Sequence, residues 1–225
     1  MRATLAAAAL VSVIAGRAAS QDLSPVHGPA RVVSHVSYLS WDQAKGWVEL
    51  EDRQTIVEVF GADRRIQSRE LRYAGNALLE TTVFLYSPEA VRKLTTDRNG
   101  ALLRRAEVTS VDGRSIETVC TGDGALLFSS EFRTDPDGRT IEAERRDARG
   151  VLAYRTRYLY DADGNLLEAA CLNPDGSTAF VSSFTYADFN LLGVWRIRRE
   201  HCSFADVKNR PRQIIRRTIS AGGAD

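Results

Sequence analysis

Seven glycine-marked reversals set the frame of this chain. Asn99-Gly100, Asp112-Gly113, Asp123-Gly124, Asp137-Gly138, Arg149-Gly150, Asp163-Gly164 and Asp175-Gly176 follow one another at intervals of eleven to fourteen residues. Asn-Gly and Asp-Gly suit two-residue hairpin loops, whose central positions both need positive φ. The segments between them are rich in Leu, Val, Ile, Thr, Tyr and Phe and lack helical periodicity. Evenly spaced turns with β-formers between them predict consecutive antiparallel strands. Alternate glycines (Gly113, Gly138, Gly164) lie about 25 residues apart, so the repeating unit is one hairpin. Local echoes support it: "NGALLRR" (99–105), "DGALLFS" (123–129), "RGVLAYR" (149–155) and "DGNLLEA" (163–169) each place Leu shortly after the glycine.

The N-terminal half carries a worn version, with Gly46, Gly61 and Gly75 at similar intervals. One β-repeat domain is therefore expected over 31–219, with a flexible segment at 21–30 and a disordered tail at 220–225. "SPEAVRKL" (87–94) reads either as a short helical turn capped by Ser87, with Pro88 at its first position, or as an irregular strand connection. Alternation is visible within strands. Phe128, Ser130, Phe132 and Thr134 share one face, and Ser129, Glu131 and Arg133 the other. Tyr154, Thr156, Tyr158 and Tyr160 oppose Arg155 and Arg157. This pattern predicts one aromatic and aliphatic face and one ionic face. A single layer would leave the apolar face wet, so the sheet must curl, close or find a cover. The expected fold is all-β: a long antiparallel β-meander of about 12–14 strands, strongly curved or half-closed.

The first twenty residues have the layout of a secretory signal peptide. Arg2 supplies a positive start, residues 3–16 (ATLAAAALVSVIAG) an apolar run, and Ala18, Ala19 and Ser20 a small-residue cleavage region. The run is too short to span a bilayer core of about 30 Å, so no transmembrane segment is expected after cleavage. The first cysteine is Cys120, which leaves none near the cut to carry a lipid anchor. The Ala-rich leader and the preference for Arg over Lys suggest a GC-rich bacterial genome, and export then means periplasm or medium. With 30 Lys+Arg against 29 Asp+Glu, no strong field is available to draw in nucleic acid. Three cysteines (Cys120, Cys171, Cys202) allow at most one internal bridge, whose pairing stays open. Cys120 and Cys171 occupy matching repeat positions four strands apart, beyond disulfide reach in a flat meander.

"YLYDADGNLLEAACLNPDG" resembles the YD-repeat, or Rhs-type, family. Its recurring unit is a Tyr-Asp pair, a short Asp/Gly turn and then Leu, matched here by Tyr160, Asp161, Asp163, Gly164 and Leu166. The resemblance is strongest over 150–192 and weaker from 38 to 149. It implies long curved antiparallel sheets and speaks for architecture more than for activity.

Chemistry is sparse. His201 adjoins Cys202, but neighbours along a strand face opposite sides. No zinc spacing, His-Glu-x-x-His or EF-hand loop appears. Asp161 to Gly164 and Asp135 to Gly138 could attract calcium, yet the turn reading accounts for both. Glu142 and Glu144 sit among Arg145, Arg146 and Arg155, where cross-strand ion pairing is the plain reading. No metal, cofactor or catalytic set is therefore assigned. The main reading is an exported, non-catalytic binding or scaffold module of the cell envelope, with a protein, polysaccharide or lipid partner. The alternative is a periplasmic carrier holding an apolar or lipid ligand on the concave face, and an envelope hydrolase ranks last. Candidate ligand-binding residues are Phe128, Phe132, Tyr154, Tyr158, Trp195, Arg196 and Arg198.

Overall fold

The computed structural model describes residues 29–42, 44, 46–73, 76–190, 194–204 and 207–221. The leader at 1–20, most of the 21–30 segment and the end of the C-terminal tail lie outside the described residues. Fourteen strands follow in order. They are β1 (Ala30–Asp42), β2 (Gly46–Phe60), β3 (Ile66–Tyr73), β4 (Ala77–Tyr86), β5 (Ala90–Asp97), β6 (Leu102–Val111) and β7 (Arg114–Thr121). Then come β8 (Leu126–Thr134), β9 (Thr140–Asp147), β10 (Leu152–Tyr160), β11 (Leu166–Leu172), β12 (Thr178–Phe189), β13 (Trp195–Phe204) and β14 (Val207–Ala221). Each pairs antiparallel with the next, and β14 pairs with β1 from Ala30↔Ala221 to Tyr38↔Gln213. The meander is thus a closed barrel, which corrects the half-closed expectation. Closure removes both edges and buries the apolar face without a second layer. The segment after Ser87 is a strand connection: the Ser87 N–H donates to the Ala90 carbonyl at 2.9 Å, and β5 starts there.

The turns differ from the two-residue reading. At Asp161 the N–H donates to the Asn165 carbonyl (2.9 Å) and the Gly164 N–H to the Asp161 carbonyl (3.1 Å). Gly164 is left-handed at φ 84°. This is a three-residue loop, a type I turn closed by a left-handed glycine. The same backbone pair recurs at Asp97, Thr121, Asp135, Asp147 and Asn173. Asp112-Gly113 has both residues left-handed (φ 50° and 73°) and is the two-residue form between Val111 and Arg114. In the longer loops the residue three before the glycine matters most, because its side chain ties down the turn. The Asp161 carboxylate accepts the Asn165 N–H at 2.7 Å, and Asp147 accepts those of Arg149 and Val151 at 2.9 and 3.0 Å.

These carboxylates make stability depend on pH. The Val151 N–H, then that of Arg149, holds Asp147 below the usual carboxylate range. The Ser177 hydroxyl and N–H do the same for Asp175, and the Arg155 guanidinium for Glu144. A carboxyl whose folded value is depressed contributes stability above its unfolded value, near pH 4, and loses it as pH falls through the folded value. Urea midpoints should therefore hold steady from pH 7 to about 5 and fall between about pH 4 and 2. A midpoint that rose on acidification would contradict this account.

One end of the barrel carries a repeated tie. Tyr86, Tyr160 and Tyr186 donate their phenol O–H to the carbonyls of Ile66, Thr140 and Leu166, each twenty residues earlier, at 2.8, 2.9 and 2.9 Å. The Thr134 hydroxyl reaches the Gly113 carbonyl at 3.1 Å in the same manner. Ile66, Thr140 and Leu166 each begin a strand beside a register shift. A bulge takes a carbonyl out of the ladder, and the phenol supplies its missing donor. The Tyr of the Tyr-Asp pair is thus a structural strut. Tyr160→Phe should cost about 1 kcal/mol of unfolding free energy, read from the urea midpoint. A neutral result would mean that water replaces the phenol.

Candidate functional site: the inner wall of the barrel

Burial identifies the inner face. Cross-strand register places Phe132, Ala143, Thr156 and Cys171 in one row, and all four are buried. The outward row Ile116, Glu131, Glu144 and Arg155 carries ions and an exposed Ile116. Outer-face pairs include Arg92–Glu107 (3.4 Å), Arg114–Glu131 (3.4 Å), Arg157–Glu142 (3.6 Å) and Arg216–Glu49 (2.6 Å). Arg155 pairs with Glu144, so the carboxylates noted in the sequence do serve cross-strand ion pairing. A membrane-spanning barrel presents a continuous apolar band, whereas charge crosses the middle of these strands. Among the described residues no helix is long and apolar enough to cross a membrane.

The inner wall is not purely apolar, which corrects the simple two-face expectation. On β2 to β7 it holds ion pairs. Arg69 donates to Glu58 at 2.9 Å through Nε and 2.6 Å through Nη2, and Lys93 donates to Glu117 at 2.6 Å. Arg104 pairs with Glu80. The Phe84 ring lies between Arg69 and Lys93, 6.0 and 5.9 Å from its centre. Charged side chains reach this face because cross-strand partners satisfy them there.

From β8 onward the wall turns aromatic. Phe128, Phe132, Tyr154 and Tyr158 all stand on it, brought together by the β8–β9–β10 register. The Arg145 guanidinium lies 3.3 Å from the Phe128 ring centre and donates to the Tyr154 hydroxyl at 3.2 Å. Burial pushes the Tyr154 and Tyr158 phenols up, so both are neutral donors at neutral pH. Trp195 is buried against Val36 and Ile215, with Arg217 3.5 Å and Arg198 5.4 Å from its ring centre. Arg198 also stacks on Phe184 at 5.3 Å. Arg196 is exposed and does not join this group. Cys171 and Cys202 are buried and Cys120 is half-buried, and no disulfide joins them.

Sequence reasoning did not place Arg145 or Gln213 on the inner wall, nor the ion pairs that face inward. Arg145 could have been found, since it lies an even number of residues from the buried Ala143. Gln213 gave no such signal, because its face is set by pairing with β1 and β13.

No family model matches the chain, and no curated protein matches it. Among solved structures it is similar to a porin-like protein from Bacteroides uniformis, at 10% identity over 84% of this chain and 97% of that one, with a TM-score of 0.49. It is also similar to a LolA superfamily protein from Nitrosomonas europaea, at 12% identity over 93% and 94%, TM-score 0.34. A DUF1329 family protein from Desulfovibrio piger gives 10% identity over 91% and 90%, TM-score 0.33. These likenesses are too distant to carry a function across. The resemblance to the YD-repeat, or Rhs-type, family is corrected. No family model matches, and the hairpins close into one barrel of their own.

Proposed function

We propose that this chain is a non-enzymatic carrier of the bacterial periplasm that holds an apolar or lipid-like ligand inside the barrel. The reading rests on one observation: a closed fourteen-strand wall that is ionic outside and, from β8 onward, aromatic inside. Eight strands make a barrel just filled by its own side chains or by one small ligand, and more strands enclose more space. The inward rings of Phe84, Phe128, Tyr154 and Phe180 are only half-buried, which fits a wall facing room for a guest. The leader-like first twenty residues supply the argument for export. An envelope scaffold would need its contact surface outside, where the apolar side chains alternate with ion pairs.

Adjacent residues on β8 test the proposal. Phe128 faces in and Ser129 faces out. Phe128→Asp puts a carboxylate beside Arg145, which can pair with it, so the fold is retained. The change removes about 2 kcal/mol of apolar contact with a guest, or roughly thirty-fold in affinity. Mass spectrometry of an organic extract of the purified protein should find lipid in the unaltered chain and in Ser129→Asp, and little in Phe128→Asp. Equal lipid in all three, or none in any, would reject the reading.

A further inference from the structure

The most unusual part of the inner wall lies on β13 and β14. Arg198 is 6% exposed and Gln213 2% exposed. Arg198 stands opposite Ile215, and Gln213 opposite Glu200, on the face that also carries Tyr186 and Val36. Among the described residues Arg198 has no ion-pair partner, and its Nε has no hydrogen-bond partner. The amide oxygen and nitrogen of Gln213 are both buried and unpartnered. The neighbouring Glu200 carboxylate accepts the Ser182 hydroxyl at 2.8 Å. Other charges on the inner wall are paired across strands, as in Glu58 with Arg69 and Lys93 with Glu117, while Arg145 has the Tyr154 hydroxyl as its hydrogen-bond partner. A buried guanidinium without an anion and a buried amide with neither bond made are costly, and native proteins seldom leave such groups empty.

Building on the carrier reading, we infer that Arg198 and Gln213 form the polar end of the ligand site and that the ligand is an amphiphile with an anionic head group. The guanidinium receives the head-group oxygens, through the charge-assisted bonds that Arg makes to carboxylate and phosphate alike. The Gln213 amide donates a further hydrogen bond. Phe184, Trp195, Tyr186 and Ile215 surround this end and contact the first carbons of the chain.

The test uses the full chain, stripped of lipid, titrated calorimetrically with dodecanoate, dodecyl phosphate and methyl dodecanoate. At least one anion should bind about tenfold or more tightly than the ester, and the tighter anion identifies the head group as carboxylate or phosphate. Arg198→Met should bring anion and ester to parity while ester binding stays within about twofold. Arg198→Lys should keep a preference for the anion. If the unaltered chain binds ester as well as both anions, the inference falls and the carrier reading stands. If none of the three binds, both fall. An anion preference that survives in Arg198→Met would place the head group elsewhere and also overturn the inference. If Arg198→Met does not fold, Gln213→Met takes its place in the same titration, and an anion preference that it leaves unchanged overturns the inference.

Discussion

Trp195→Ala is expected to lower the stability of the chain by about 3–5 kcal/mol, the usual cost of emptying a large aromatic site in a core. Trp195 is 4% exposed and packs on Val36 of β1 and Ile215 of β14, the two strands whose pairing closes the barrel. Its ring also carries the Arg198 and Arg217 guanidinium groups, and the Arg217 Nε donates to its carbonyl at 2.7 Å. Removing the indole therefore opens a cavity beside two buried cations and loosens the seam. Urea unfolding followed by circular dichroism measures the loss, with Trp195→Phe expected to retain much of the stability. A Trp195→Ala midpoint close to that of the unaltered chain would mean that closure does not depend on this packing.

Arg69→Met comes next in size, at about 3–5 kcal/mol. The Glu58 side chain is 4% exposed and its carboxylate accepts both Arg69 bonds. Without the guanidinium it becomes a buried charge with no partner on the neighbouring strand. The double change Glu58→Gln with Arg69→Met should recover most of the loss, because it removes the charge along with its partner. A double-mutant cycle in urea reads the coupling. If the two single changes simply added, the pair would have no special role in the wall.

Much of the architecture was legible because the information is local. An Asp or Asn three residues before a glycine, as at Asp97, Asp135, Asp147, Asp161 and Asn173, fixes a reversal within five residues of chain. The loop type depends on that residue and not on the one just before the glycine, which is why the Asp-Gly pairs alone point to shorter loops than the chain forms. Closure was not legible. It depends on Ala30 meeting Ala221, and no short stretch encodes a contact across the whole chain. Alternation placed Phe128, Phe132, Tyr154 and Tyr158 on one face correctly in geometry, since period two survives between bulges. Arg196, put forward with Trp195 and Arg198, is instead exposed, and the neighbouring strand is irregular at Asp188 (φ 56°). The inward ions Glu58, Lys93 and Glu117 escaped because a charge facing the lumen looks, in sequence, the same as one facing water. Only the register shows that Glu58 meets Arg69 across the wall.

The seam between the first and last strands has a consequence for the order of events as the polypeptide is made. Thirteen of the pairings join neighbours in sequence and can form as soon as each hairpin emerges, with little entropy lost to loop closure. The fourteenth must wait for the last 15-residue strand. Until then β1 keeps a bare edge with Val32 and Val36 uncovered, which is the situation that invites pairing with other chains. A nascent or truncated form ending before residue 207 would stay in that sticky state, however well its hairpins had set.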